Sequence, residues 1–330
     1  MTPPKIFISR LIPTRGLDLV NKHYQSFGFA QDKLDTWPHE MPPTRDELLE
    51  KVRGVDGLLC TLTEKVDAEL MDAAGSQLKI ISSMSVGVDH IDIAAATARG
   101  IPVGNTPGVL TDATADMAFA LLLSAARRVM EGEKYIRTGK WKTWHPQLLL
   151  GADLVGATLG IVGFGRIGQA VAKRAQGFDM RVIFYDPTAH PAYGAQSVDL
   201  DTLLRESDFV SLHVPLTANT KRMVNADFLS KMKPNAILVN TARGGVVDQV
   251  ALYDALKSNQ IFAAALDVTD PEPLPMDSPL LALENCLIVP HLGSASQRTR
   301  DLMSLLAAEN LIAGLKGERL PNCVNPEVYK

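Results

Sequence analysis

Short apolar runs alternate with stretches of helical period from the start of the chain. Residues 5–9 (KIFIS) read as a strand and residues 16–23 as a helix. Thr44-Arg45-Asp46-Glu47 is a capping box, in which the Thr hydroxyl and the Glu carboxylate each satisfy a free backbone N–H; the helix it opens runs to about residue 53. Strands at 57–61, 78–82 and 102–104 alternate with helices at 67–74 and 91–99, the last stopped by Gly100. Such alternation implies a parallel sheet covered by helices. Residues 25–35 follow no period and read as an irregular connection. Residues 111–128 form a long apolar helix, and residues 139–150 break the pattern with Trp141, Trp144, His145 and Pro146.

A second series begins at residue 157. It places strands at 158–162, 181–185, 209–213, 236–240, 262–266 and 286–289, and helices at 166–176, 200–205, 226–231 and 249–258. Six strands with intervening helices match a dinucleotide-binding sheet. The last long helix, 297–315, leaves too little chain for a new domain and is expected to return to the first one. The expected fold is α/β, with two doubly wound parallel-sheet, Rossmann-like domains. Residues 1–105 and 298–330 make the substrate domain, residues 106–297 the cofactor domain, and the active site is expected in the cleft between them.

Composition narrows the function. The chain has 330 residues, 46% hydrophobic and 21% charged, ordinary figures for a folded two-domain protein. A net charge of -4 leaves no electrostatic footprint for nucleic acid. Cys60, Cys286 and Cys323 are odd in number and far apart, which argues against a disulfide scaffold or a CxxC metal site and suits a reducing, cytoplasmic compartment. No signal-peptide layout opens the chain, and the most apolar stretch, 113–126, is too short to span a bilayer and contains Asp116. No metal, membrane or nucleic-acid partner is expected.

Gly163-Phe164-Gly165-Arg166-Ile167-Gly168 is G-x-G-x-x-G between an apolar strand and an amphipathic helix. The first glycine makes the turn, the second admits a pyrophosphate close to the backbone, and the third lets helix and strand pack. Asp186, at the end of the next strand, stands where an acid accepts from the adenosine ribose. A carboxylate there repels a 2′-phosphate, and Pro187-Thr188-Ala189 offer no cation, so NADH is expected over NADPH. The alternative is an ordinary strand-turn-helix with an exposed Asp.

Three polar residues follow three successive strands: Arg243 in NTARGG, Glu272 in DVTDPEP and His291 in PHLGS. Reduction of a 2-keto acid needs a cation to hold the carboxylate, an acid to protonate the oxygen as hydride arrives, and a carboxylate to orient that acid in its protonated form. Singly, each residue has a plain explanation: a surface cation, a loop solubiliser, a satisfied histidine. Their succession on one sheet favours chemistry.

In this order, GFGRIG, NTARGGVVD, ALDVTDPEPLP and PHLGSAS resemble the D-isomer-specific 2-hydroxyacid dehydrogenases over about residues 55–318. SMSVGVDH, WKTWHP and SQRTRDLMSLLAAENLIAGLKGE resemble the glyoxylate/hydroxypyruvate reductase branch of that family. The resemblance implies that Arg243 binds substrate, His291 is the acid/base and Glu272 its partner. It implies that Val86 and Gly87 offer N–H groups to the substrate carboxylate and that Leu62 lines the pocket. Asp267, Gly293 and Ser294 would lie by the nicotinamide, with Asp267 and Ser294 also by the substrate. Thr114, Val214, Pro215, Thr241 and Ala242 would touch the cofactor, and Trp144 would reach a partner subunit's site in a homodimer. Other members, of D-lactate or phosphoglycerate type, and a non-enzymatic NAD-sensing corepressor remain as alternatives. A formate-type enzyme would need Gln where Glu272 stands.

The chain departs from the animal hydroxypyruvate reductases, which favour NADPH and lack an acid at the position of Asp186. The loop SSMSVGVDH reads both as a strand end entering a helix capped by Asp89 and as a turn whose free N–H groups bind an anion; His90 in it reads as structural. Trp141 and Trp144 read as packing residues or as a dimer anchor.

Overall fold

The apolar runs become short parallel strands, most of them buried. The computed structural model describes residues 4–26 and 34–330. Its first strands and helices are β1 (Ile6–Ile8), α1 (Thr14–Ser26), β2 (Leu34–Thr36), α2 (Arg45–Lys51), β3 (Gly57–Cys60), α3 (Ala68–Ala74), β4 (Ile80–Ser83), α4 (Ile93–Ala98) and β5 (Val103–Gly104). The strands form one parallel sheet in the order β2-β1-β3-β4-β5. Side chains alternate across a strand, so Phe7, Leu58 and Ile81 pack under α2, α3 and α4, while Ile6, Ile8, Leu59 and Ile80 form a core on the opposite face. The capping box of α2 is present: Thr44 accepts from the Glu47 amide and Glu47 accepts from the Thr44 amide at 2.8 Å. The cap of α4 is Asp92, which accepts from the Ala95 amide at 2.9 Å, and not Asp89. The helix begins four residues past Asp89, at Ile93, and its cap position is taken by Asp92.

The elements that follow are α5 (Thr111–Ala126), α6 (Val129–Arg137), β6 (Thr158–Val162), α7 (Arg166–Ala175), β7 (Arg181–Tyr185), β8 (Gln196–Ser197), α8 (Leu200–Glu206), β9 (Phe209–Leu212), α9 (Ala226–Ser230), β10 (Ile237–Asn240), α10 (Gln249–Lys257), β11 (Ala263–Leu266) and β12 (Cys286–Ile288). Their strands form a second parallel sheet, β12-β11-β10-β9-β6-β7-β8. Leu159, Ile161, Phe184, Val239 and Ala265 pack under α5 and α7. Val162, Ile183, Leu212, Leu238 and Leu266 pack under α8, α9 and α10. Each such fully buried side chain is worth about 1.5–3 kcal/mol of transfer free energy. The strand order reverses between β6 and β9, which puts the glycine turn after β6 at the switch point where such sheets bind ligands.

The last helix, α11 (Gln297–Leu315), packs on α1 and on the face of β3 and β4. Met303, Ala307, Ala308 and Leu311 join the core of Ile6, Ile8 and Leu59, and the Ser82 hydroxyl donates to the Ala307 carbonyl at 2.8 Å. By packing, Met1–Leu110 and Ser296–Lys330 make one unit and Thr111–Ala295 the other. Among the described residues no helix is long and apolar enough to cross a membrane.

Four elements differ from the sequence expectation. β2 overlaps the end of the stretch read as an irregular connection; its LDT is half-buried at a sheet edge, and pairing with β1 rather than hydrophobicity makes it a strand. The rest of that stretch includes residues 27–33, which lie outside the described residues. α1 is longer than expected at both ends. The helix expected at 111–128 stops at Ala126, because Arg128 takes a left-handed conformation (φ 51°) from which α6 starts afresh. β8 adds a seventh strand, two exposed residues held only by pairing with β7.

Candidate active site

Each glycine of the turn after β6 has a separate structural task. Gly163 has φ +90°, and a side chain there would meet the His213 backbone at 2.7 Å. A side chain on Gly168 would stand 2.3 Å from the Gly163 carbonyl oxygen, so this glycine lets α7 close on the turn. A side chain on Gly165 would meet nothing within 4 Å. Gly165 is the N-cap of α7 and makes no side-chain cap, so the first amides of a ten-residue helix face this open space. That is the cradle a pyrophosphate requires. Phe164 is buried against Phe184, ring on ring at 3.9 Å, while Arg166 is exposed and Ile167 half-buried.

Asp186 closes the turn from the end of β7. One carboxylate oxygen accepts from the Phe164 amide at 2.8 Å; the other accepts from the Thr188 amide and hydroxyl and from the Ala189 amide. Burial works against its charge, but the N–H groups of Thr188 and Phe164 outweigh it and hold the carboxyl below its ordinary range. The link to Phe164 joins a side chain to a main-chain amide 22 residues away, which no spacing in the sequence marks.

Among the described residues, two buried polar atoms at the neighbouring strand ends have no partner: His213 Nδ1 and Thr241 Oγ1. In register they are the residues just past the paired ends of β9 and β10, and Asp267 is the equivalent residue of β11. His213 Nε2 bonds to the Ser211 hydroxyl at 2.8 Å, and burial pushes the imidazole down to about 3, so it is neutral. An unpaired buried polar atom costs about 1–3 kcal/mol. The two orphans and the open space at Gly165 fit a dinucleotide laid over these strand ends. Val214 and Pro215 follow His213 at the same edge.

Arg243 follows β10 in a turn held by Asn240, whose side chain accepts from the Ala242 amide at 3.0 Å and donates to the Arg243 carbonyl at 2.9 Å. The guanidinium donates to the Ala242 carbonyl at 2.9 Å. Gly244 is obligatory: a side chain would stand 1.9 Å from the Thr269 carbonyl oxygen. This close approach sets the Arg243 turn against the segment that leads to Glu272.

Glu272 and His291 meet. Glu272 Oε1 lies 2.5 Å from His291 Nδ1, with both side chains part-exposed. A carboxylate only accepts, so Nδ1 carries the hydrogen of this bond and Nε2 is the nitrogen left for exchange with a ligand. His291 itself has φ +54°, a left-handed backbone uncommon for a residue with a side chain. Asp267 holds that turn: its carbonyl accepts from the His291 amide at 2.9 Å, and its carboxylate accepts from Leu292 at 2.5 Å and Gly293 at 2.8 Å. Burial pushes the Asp267 carboxyl above its ordinary range, although both N–H groups favour its charge. A side chain on Gly293 would press on Asp267 and touch Thr114 of α5. Ser294 is buried next to it.

Leu62, Val86 and Gly87 belong to the other unit, in the loops after β3 and β4. Leu62 is exposed on a loop braced by buried Glu64, which accepts from the Ser9 hydroxyl at 2.6 Å and the Thr61 amide at 2.7 Å. Trp144 is 77% exposed.

A family model described as "D-isomer specific 2-hydroxyacid dehydrogenase, NAD binding domain" matches residues 119–293. The chain is 52% identical to a glyoxylate reductase of Korarchaeum cryptofilum over 99% of its own length and 97% of that protein's. A crystal structure of a Thermus thermophilus protein superposes with a TM-score of 0.89 at 50% identity, covering 97% of this chain and 99% of that one. An NADPH-dependent glyoxylate/hydroxypyruvate reductase of Sinorhizobium meliloti, solved with NADP and malonate, gives 0.83 at 34% identity, covering 97% of this chain and 96% of that one.

Proposed function

The chain belongs to the D-isomer specific 2-hydroxyacid dehydrogenase family, an NAD(P)-dependent oxidoreductase family, and from that premise we propose that it reduces glyoxylate and hydroxypyruvate to glycolate and D-glycerate with NADH. The observation that carries the chemistry is the 2.5 Å pair of Glu272 and His291. A bound reduced nicotinamide supplies the hydride. His291 gives the balancing proton from Nε2 to the keto oxygen, and Glu272 steadies the imidazolium beforehand and the imidazole afterwards. Arg243 holds the substrate carboxylate and polarises the keto group. In the family reading, the amides of Val86 and Gly87 bind a substrate carboxylate and Leu62 lines a substrate pocket. The glycine turn, Asp186, Val214, Pro215, Thr241 and Ala242 hold the dinucleotide, and Thr114, Asp267, Gly293 and Ser294 enclose its nicotinamide end.

NADH is preferred because Asp186 is ionised where a 2′-phosphate would sit, a preference opposite to that of the Sinorhizobium relative. The exposed apolar side chains of Val129, Met130, Ile136, Trp141, Trp144 and Leu150, close together in the chain, support a homodimer formed through this segment. The three free thiols support a cytoplasmic setting. The test is a panel of 2-keto acids, each with NADH and NADPH, with chiral analysis of the product and sedimentation of the enzyme and of Trp144→Ala. Turnover confined to phosphohydroxypyruvate or pyruvate would move the chain to another branch, and none at all would leave a binding protein.

A further inference from the structure

The loop after β4 is held by its carbonyl groups. The Ser85 carbonyl accepts from the Thr106 amide at 2.9 Å. The Val86 carbonyl accepts from the Asn105 side-chain amide at 2.9 Å, and the Gly87 carbonyl accepts from the Ser85 hydroxyl at 2.7 Å. In a trans peptide the C=O of one residue and the N–H of the next point in opposite directions. Pinning three successive carbonyls therefore turns the amides of Val86, Gly87 and Val88 the other way. Among the described residues these three amides find no acceptor, and all three residues are part-exposed.

The donors that do the pinning are themselves fixed. The Asn105 backbone is held from both sides: its amide donates to the Asn322 carbonyl at 3.2 Å, and its carbonyl accepts from buried Asn310 at 2.9 Å. Asn310 also accepts from the Asn322 amide at 3.0 Å. The Ser85 hydroxyl must donate to Gly87, because a carbonyl only accepts, so it accepts from the Ser83 hydroxyl at 2.7 Å. Ser83 in turn accepts from His90 Nε2 at 3.1 Å. Hydrogen-bond direction thus runs His90 to Ser83 to Ser85 to Gly87, and it fixes the hydrogen of His90 on Nε2.

We propose that Asn105 and Ser85 are positioning residues for the substrate: they hold the Val86 and Gly87 carbonyls so that the amides of this loop stay turned toward the 2-keto acid carboxylate. The proposal rests on the carboxylate role given above to Val86 and Gly87. Neither residue touches the substrate. Each acts through a peptide plane, and its loss frees that plane to rotate.

Asn105→Asp keeps the shape and removes the donor; Ser85→Ala removes the hydroxyl, and Ser85→Thr restores it. The measurements are KM and kcat for glyoxylate, the inhibition constant of oxalate at saturating NADH, the NADH dissociation constant by fluorescence, and Tm. In Asn105→Asp and Ser85→Ala, KM and the oxalate constant should rise together about tenfold, the worth of a hydrogen bond to a charged ligand. kcat should stay within about threefold and NADH affinity should not move, while Ser85→Thr recovers most of the loss. Unchanged KM and oxalate constants in both variants overturn the proposal, as does a loss spread equally over NADH binding and kcat. If Asn105→Asp does not fold, the Ser85 pair decides alone. An unmodified enzyme that neither reduces glyoxylate nor binds oxalate overturns the functional reading itself, a result visible before any variant is made.

Discussion

The carbonyl oxygen of Asp267 accepts the amide hydrogen of His291 at 2.9 Å, and its carboxylate takes the next two amides, of Leu292 and Gly293. One residue at the end of β11 therefore dictates the backbone of the turn after β12. The imidazole reaches Glu272 because this turn is left-handed at His291 (φ 54°).

His291→Asn should separate chemistry from folding. Asn tolerates a left-handed backbone better than most residues, so Tm should change by no more than a few degrees. kcat/KM should fall about a hundredfold or more, the usual worth of a general acid. Asp267→Asn should do both kinds of damage. An amide NH2 would face one of two N–H donors, costing about 2 kcal/mol and loosening the turn. Calorimetry and steady-state kinetics on the two variants check this, and a fully active His291→Asn would remove the residue from the mechanism.

The glycine turn offers a contrast between two glycines three residues apart. Gly165→Ala projects into open space and has an ordinary backbone (φ −70°), so Tm should hold while the NADH dissociation constant rises at least tenfold. Gly168→Ala meets the Gly163 carbonyl at 2.3 Å and should lose stability whether or not cofactor is present. Thermal melts with and without NADH distinguish the two.

The sequence made the βα alternation and the six longer strands of the second sheet legible, because all of them but the edge strand β12 are largely buried and must be apolar, and β12 carries its own apolar run. β2 and β8 lacked that signal, being edge strands made by pairing. The break between α5 and α6 was hidden because Arg128 is not a residue type that marks a turn. Among the candidate site residues, the pairing of Glu272 with His291 could be argued from their order after successive strands. The grip of Asp186 on Phe164 and of Asp267 on Leu292 and Gly293 could not, since each joins residues that are distant in sequence through a main-chain amide.

Asp186 carries a pH prediction. Its folded value lies below the ordinary one, so its stabilising effect is complete above the unfolded value, about 3.9, and is lost as pH falls through the lower folded value. Asp186→Asn should therefore be less stable than the parent at neutral pH, with the difference closing in acid. In the same variant the preference for NADH over NADPH should fall about tenfold, and Asp186→Ser with Pro187→Arg should invert it. Equal use of both cofactors by the parent enzyme would defeat the electrostatic argument.

Arg243→Lys keeps a charge but loses the planar fork that binds a carboxylate through two hydrogen bonds. Glyoxylate KM should rise and kcat fall, each by about tenfold or more, with NADH affinity preserved. Unchanged kinetics would place the guanidinium outside the reaction.

The helix α11 also sets an order of events during synthesis. The core it completes on β1, β3 and β4 contains Met303, Ala307, Ala308 and Leu311, made after every residue of the second sheet. The ribosome therefore releases a first sheet whose one face is covered only in part, by α1, followed by a segment, Thr111–Ala295, that brings both of its own covering layers with it. The later segment can close while the earlier one still waits, and the newborn chain is most exposed to aggregation in that interval.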